Sequence, residues 1–282
     1  MNKLTKFRFA SVILISDIFV LFCLKGNISA ITAGGFLSGI LIQAIISVPF
    51  ALWIKKGKSI ENCGKFVKII FMIYFLLWAT AIFSMLWDTS EVIYIPSQNS
   101  GIFGKISVLS AIGLVCAYMT SAGMKTLLRS SVIVAGMGAV CILIVMTSAL
   151  FKSDFENIKI IRSEKFPNEF ARGLILSGNL GSFAVLLGNA KGNAVTNSLI
   201  YFSAKIIITF IILMTAVLVS GGIMEITDFP VVMSAQLSQP FPSQRIDSLF
   251  LMIFSIFGVF SIALQTCLAR YLFKSLKRGS QP

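Results

Sequence analysis

Residues 33–54 read AGGFLSGILIQAIISVPFALWI, and Lys55 and Lys56 follow directly. This stretch contains no charged residue, and a helix of about 20 apolar residues is long enough to cross the hydrocarbon core of a bilayer. Similar apolar stretches recur along the whole chain. The sequence therefore predicts eight membrane-spanning helices, near residues 9–24, 33–54, 69–87, 106–121, 131–151, 170–188, 198–219 and 246–271.

Composition supports the same class of fold. Of the 282 residues, 56% are hydrophobic and only 12% are charged, whereas an ordinary soluble domain has about 25% charged residues. We therefore predict an all-α integral membrane protein. Residues 1–282 form a single polytopic membrane domain, with no room for a separate soluble domain.

The distribution of charge predicts the orientation. The formal net charge is +13, but the basic residues lie between the apolar blocks, so nucleic acid is not an expected partner. With alternating spans and the N-terminus inside, the inner segments hold 15 basic residues and one acid, Glu61, and the outer segments hold eight of each. Cytoplasmic segments are enriched in Lys and Arg. This bias predicts that both termini are cytoplasmic and that anionic lipid headgroups contact the basic segments.

Little in the sequence favours an enzyme. Histidine is absent, and the five cysteines have no paired short spacing, so we expect no metal site and no cofactor. Phosphate-binding glycine loops, aspartate-rich diphosphate motifs and nucleophile elbows are also lacking. We predict no catalytic residue, which leaves transport or ligand sensing as the class of function.

Two features in the spans are candidates for function. Asp17 lies midway along the first span, where a carboxyl group is costly and is functional by default. The alternative is a purely structural pair inside a polar bundle. In the sixth span, small and polar residues favour an interrupted helix whose free backbone groups line a cavity, and tight helix packing is the alternative. These residues are Ser177, Gly178, Asn179, Gly181 and Ser182.

Three further features have simpler interpretations. Gly35 and Gly39 form a Gly-x-x-x-Gly pair, which predicts close packing of the second span against another helix. Lys205, about two turns inside the seventh span, is expected to snorkel to the cytoplasmic interface, with ion coupling as the alternative. Arg245 and Asp247, at the outer end of the eighth span, could gate a site or pair with another element, or could simply anchor the helix.

The order of three segments suggests a family. Gly123–Arg129 enters the fifth span, and Asp154-Phe-Glu-Asn-Ile-Lys-Ile160 opens the long outer loop. Phe229-Pro230 is followed by Arg245-Ile-Asp-Ser-Leu-Phe250 at the start of the eighth span. From about residue 9 to 275, the chain resembles the spore germination permease family. These are the B subunits of nutrient-germinant receptors, within the amino acid–polyamine–organocation transporter superfamily.

The resemblance implies an inverted-repeat transporter fold of two sets of five helices. The chain would lack the last two. Binding residues would come from spans one, three, six and eight, with spans one and six unwound. The ligand-binding candidates are then Asp17, Gly178, Asn179, Gly181 and Ser182. At the place of the family's Gly-x-Gly stretch in span one, this chain has Ile15-Ser-Asp-Ile-Phe19.

The preferred hypothesis is a membrane-embedded subunit of a spore germinant receptor that senses a small nutrient such as an amino acid. Its partners would be the lipid bilayer and other receptor subunits. It would lie in a bacterial cell membrane, which is the inner membrane of the spore if the resemblance holds. One alternative is an ion-coupled secondary amino acid transporter, and another is a membrane scaffold subunit that binds no ligand.

Overall fold

The computed structural model describes residues 4–26, 29–94, 102–151, 153–159, 166–177, 179–220, 228–237 and 246–278. These residues contain no β-strand, and their only bridge joins Leu4 to Ala190. They form ten α-helices: α1 (Lys6–Phe22), α2 (Ala30–Lys55), α3 (Lys65–Tyr94), α4 (Ile102–Ala122), α5 (Met124–Leu150), α6 (Phe166–Ile175), α7 (Leu180–Leu187), α8 (Ala194–Ser220), α9 (Pro230–Leu237) and α10 (Ile246–Arg278).

Six segments within the described ranges are long and apolar enough to cross a membrane. They comprise α2, most of α3, α5, the α6–α7 pair, α8 and most of α10. The other two helices at predicted spans are not among these six: α1 has 17 residues, and the stretch Ser110–Ala122 of α4 is a shorter apolar helix. The chain is thus an all-α protein with several membrane-spanning helices, and large apolar side chains on their outer faces are available to lipid.

Most helices follow the predicted spans and extend beyond them, but α1, predicted at 9–24, ends earlier, at Phe22. The third span, predicted at 69–87, lies within α3, which runs from Lys65 to Tyr94. The fourth and fifth, predicted at 106–121 and 131–151, lie in α4 and α5, which begin at Ile102 and Met124. The extra turns are polar or mixed in character. The length of an apolar stretch therefore predicts the apolar part of a helix, and it does not predict the polar turns that continue the helix at either end.

Helix α1 runs through the middle of the bundle. It is apolar around most of its circumference, as expected for a helix surrounded by others, and ten of its 17 residues are buried. Near its N-terminal end, the ring of Phe9 lies 5.9 Å from that of Phe183 in α7. Near its C-terminal end, Phe19 stacks on Phe254 of α10, with ring centroids 5.2 Å apart. Asp17 therefore lies on a helix that is largely enclosed by its neighbours.

Helices α2 and α6 approach each other through glycine. A Cβ atom on Gly39 would lie only 2.6 Å from the backbone nitrogen of Leu174, and one on Gly35 would lie 3.0 Å from the carbonyl oxygen of Phe166. Gly173 faces α2 in the same way, because a Cβ there would collide with the backbone of Phe36. The predicted packing role of the Gly35–Gly39 pair is confirmed, and this contact fixes the end of α6 beside the middle of α2.

Candidate functional site

The sixth span is interrupted in its middle, so the predicted break is confirmed. Helix α6 ends at Ile175 and α7 begins at Leu180. Asn179 is the N-cap of α7, since its Oδ1 accepts a hydrogen bond from the backbone N–H of Ser182 at 3.1 Å. On the other side of the break, the Ser177 hydroxyl donates to the carbonyl of Gly173. The break is a capped structure within an apolar segment.

Asp17 of α1 lies against this break. Its carboxylate accepts hydrogen bonds from the hydroxyl of Tyr201 in α8 and from the backbone N–H of Asn179. The second bond places a carboxylate at the N-terminal end of α7, where the helix dipole favours negative charge. The break and Asp17 thus form one site.

Lys205 completes the charge arrangement. Its Nζ lies 3.5 Å from Oδ2 of Asp17 and donates to Oε1 of Gln43 in α2 at 2.8 Å. The amide of Gln43 in turn donates to the carbonyl of Leu174 at 3.1 Å, near the C-terminal end of α6. The snorkelling prediction is wrong, because Lys205 is only 2% exposed. Its ammonium stays inside the bundle because a carboxylate and an amide oxygen are there to receive it.

A serine and a glutamine extend the network to α10. The Ser182 hydroxyl donates to Oε1 of Gln265 at 3.1 Å. Both Asn179 and Gln265 therefore hold Ser182 through their amide oxygens. Their nitrogens, Nδ2 of Asn179 and Nε2 of Gln265, are buried without a hydrogen-bond partner among the described residues, as is Oγ of Ser16. Buried polar groups are rarely left unpaired, so each one needs an explanation.

We name these residues together the polar cluster: Ser16, Asp17, Gln43, Asn179, Ser182, Tyr201, Lys205 and Gln265. All are buried within the protein, where polar groups without partners cost free energy.

A cavity of about 640 Å³ adjoins the polar cluster. It lies between α2, α3 and the α6–α7 pair, and most of its lining is apolar. Gln43 belongs both to the cavity wall and to the polar cluster. Tyr74 and Gly181 also line the cavity, and the N–H of Gly181 hydrogen bonds to the Tyr74 hydroxyl. The volume is within the range of small-molecule sites, about 300–1,000 Å³.

The structure brings Asp17, Asn179 and Ser182 of the predicted ligand-binding set together, with Gly181 on the adjoining cavity wall. Gly178 and Arg245 lie outside the described residues. Asp247 belongs to α10, but its side chain is outside the described part of the chain.

The expectation that span one is unwound is wrong, because α1 is continuous from Lys6 to Phe22. The Ile15–Phe19 stretch contains no glycine, so nothing in it favours leaving the helix.

The sequence reasoning missed four members of the polar cluster, Ser16, Gln43, Tyr201 and Gln265, and misjudged Lys205. Gln43 and Gln265 each carry a polar amide in the middle of a long apolar span, which is the signal that could have found them. Tyr201 gave a weaker signal, four residues before Lys205 and therefore on the same face of a helix. The pairing of these side chains depends on contacts between helices far apart in sequence.

The site offers a paired carboxylate, a paired ammonium and two buried amide nitrogens. Within the described ranges there is no group of three or more His, Cys, Asp or Glu residues that could hold a metal ion. Comparison with known proteins adds no identity, since neither a protein-family model nor a curated protein matches the chain.

Proposed function

We propose that this protein is a permease-like membrane subunit that binds a small nutrient, an amino acid, and acts in sensing it as part of a spore germinant receptor. The observation that carries the proposal is the break between α6 and α7 against Asp17 in the membrane interior. In transporter bundles, interrupted helices present free backbone and polar groups to small charged ligands.

The polar cluster suits the two ends of an amino acid. The amide nitrogens of Asn179 and Gln265 are hydrogen-bond donors without partners, so they favour a ligand with oxygen acceptors, such as a carboxylate. Asp17 is the complementary group for an ammonium, which Lys205 supplies in the structure. A ligand ammonium that competes with Lys205 for Asp17 would loosen the link from α8 to α1. Binding would then favour one arrangement of the helices over another, as a sensor requires.

The proposal includes a finer description of the fold. Eight spans cross the membrane, with α1 as the first and α4 as the fourth, and α9 is a non-spanning helix on the outer side. Both termini are cytoplasmic, in a bacterial cell membrane, and the helices correspond to those of an inverted-repeat bundle. Other receptor subunits are the proposed partners.

One alternative has an observation in its favour. The buried Asp17–Lys205 pair is an intramembrane charge pair of the kind that marks ion and proton pathways. It favours an ion-coupled amino acid transporter as the second candidate. The two functions differ in net flux: a transporter in sealed vesicles accumulates radiolabelled amino acid against its gradient, and a sensing subunit binds it without accumulation.

The test is thermal unfolding of the detergent-purified protein across a panel of amino acids and sugars. A ligand at 100 times its dissociation constant stabilises the folded state by about 2.7 kcal/mol. We expect one amino acid to stabilise the wild type and to have no effect on Asp17→Asn. The matched control is Asp88→Asn, which removes an exposed outer carboxylate paired with Lys25 and should keep the response. A panel without any response would favour the non-binding scaffold.

A further inference from the structure

The 640 Å³ cavity has an exposed apolar rim and a buried inner wall. The rim residues Ile46, Ile70 and Ile175 are 56%, 50% and 64% exposed. The inner wall includes Gln43 and Ala184, which are almost fully buried. Because α2 and α3 are membrane-spanning candidates, a rim of isoleucines opens towards hydrocarbon and not towards water. The cavity is therefore accessible to an apolar chain in the bilayer.

The C-terminal end of α2 and the N-terminal end of α3, which lie nearest the cavity, are strongly basic. Lys55 and Lys56 end α2, and Lys65 begins α3. All three are exposed and have no carboxylate partner among the described residues. At a rise of about 1.5 Å per residue, Lys65 lies about 7.5 Å along α3 from Ile70, and Lys55 lies about 13.5 Å along α2 from Ile46. The lysines thus flank the cavity at the distance of a lipid headgroup from its acyl chain.

The nearby acid does not neutralise this basic patch. Glu61, in the turn between α2 and α3, accepts hydrogen bonds from Nδ2 of Asn189 and from the hydroxyl of Tyr271, both at 2.5 Å. Its carboxylate is committed to the α7–α8 connection and to α10. The lysines remain available for a negatively charged partner, and basic pockets on the cytoplasmic side of membrane helices bind anionic headgroups.

We propose that this cavity is a binding site for an anionic phospholipid of the inner leaflet. One acyl chain fills the cavity between α2, α3 and the α6–α7 pair, and the headgroup phosphate binds Lys55, Lys56 and Lys65. The chain end reaches Tyr74, Gly181 and Gln43, and Gln43 is also a member of the polar cluster. The lipid thereby supports the wall against which the broken sixth span packs. This site adjoins the proposed amino acid site at Gln43, but its existence does not depend on that function.

The test counts lipids bound to the purified full chain in a neutral detergent by native mass spectrometry. Dioleoyl phosphatidylglycerol and dioleoyl phosphatidylcholine are titrated separately. We expect the first phosphatidylglycerol to bind about tenfold or more tightly than the first phosphatidylcholine. The Lys55→Gln/Lys56→Gln/Lys65→Gln variant should lose this preference and keep the weaker phosphatidylcholine binding. The matched control is Lys125→Gln/Lys274→Gln/Lys277→Gln, which removes three exposed lysines at α5 and α10 and should keep the preference.

Two further variants test the cavity itself. Ala184→Phe fills it from the buried wall, and Ile46→Trp covers its rim from an exposed position. Both should weaken the binding of both lipids, whereas Ala117→Phe on the exposed face of α4 should not. Equal affinity of the wild type for the two lipids, equal loss in the control lysine variant, or unchanged binding in Ile46→Trp would overturn the proposal. Each of these results would leave amino acid binding to be judged by its own assay.

Discussion

The buried pair of Asp17 and Lys205 permits a quantitative prediction. We consider Lys205→Met, which keeps the length of the side chain and removes its charge. The ammonium lies 3.5 Å from the Asp17 carboxylate, and both residues are buried. Removal of one partner leaves the other as an uncompensated charge, which costs about 3–5 kcal/mol of folding free energy. Gln43 also loses the donor to its Oε1.

The double variant Lys205→Met/Asp17→Asn separates the contribution of the ion pair to stability from the contribution of side-chain packing. Both charges are then absent, and the remaining cost is the unsatisfied oxygen of Gln43, about 1–3 kcal/mol. We therefore expect the double variant to be more stable than either single variant, with a coupling energy of about 2 kcal/mol or more between the two positions.

The assay is unfolding in mixed micelles with an increasing fraction of SDS, followed by far-UV circular dichroism. Lys25→Met is the matched control, since Lys25 pairs with Asp88 at a shorter 2.8 Å but with side chains 55% and 40% exposed. An exposed pair is worth about 0–1 kcal/mol, so this variant should unfold almost like the wild type. Additive costs of Lys205→Met and Asp17→Asn, or a cost as small as that of Lys25→Met, would refute the reasoning.

Three further predictions concern packing, capping and topology. Gly39→Ala should destabilise the protein by about 1–3 kcal/mol in the same assay because of overpacking against α6. A Cβ on Gly34 in the same helix would meet nothing within 4 Å, so Gly34→Ala should have little effect. Equal effects of the two variants would contradict the α2–α6 contact. Asn179→Ala should cost about 0.5–2 kcal/mol through loss of the α7 N-cap, with Asn179→Ser close to the wild type; two equally unstable variants would argue against the cap. Cys63, which is partly exposed between α2 and α3, should react with a membrane-impermeant maleimide in inside-out vesicles and not in intact cells, and the reverse pattern would contradict the proposed orientation.

Parts of this architecture could be predicted from the sequence because they depend on local properties. The apolar stretch at 33–54 predicts α2, and the Ser177–Ser182 composition predicts a break, since glycine and hydroxyl side chains weaken a helix wherever they occur. Asp17 was identifiable by the cost of a carboxyl group in hydrocarbon. These signals come from single segments and need no knowledge of their neighbours.

The partners of Lys205 and Gln265 and the position of the cavity could not be predicted, because they depend on which helices pack against each other. Lys205 has the length to snorkel, and only the convergence of Asp17 and Gln43 upon it explains why it does not. Gln265 lies 83 residues from Ser182 in sequence, yet the two are hydrogen bonded. The cavity likewise exists because α2, α3 and the α6–α7 pair enclose a space, which no periodicity of one helix predicts.

The measurement that tests the central claim most directly is equilibrium retention of radiolabelled amino acids by the purified protein. Wild type, Asp17→Asn and Gln265→Leu are compared, because the two variants alter opposite ends of the polar cluster. We predict that the wild type retains one amino acid per chain and that both variants lose it. Absence of retention by the wild type, or equal retention by all three proteins, would contradict an amino acid site between α1, the α6–α7 break and α10.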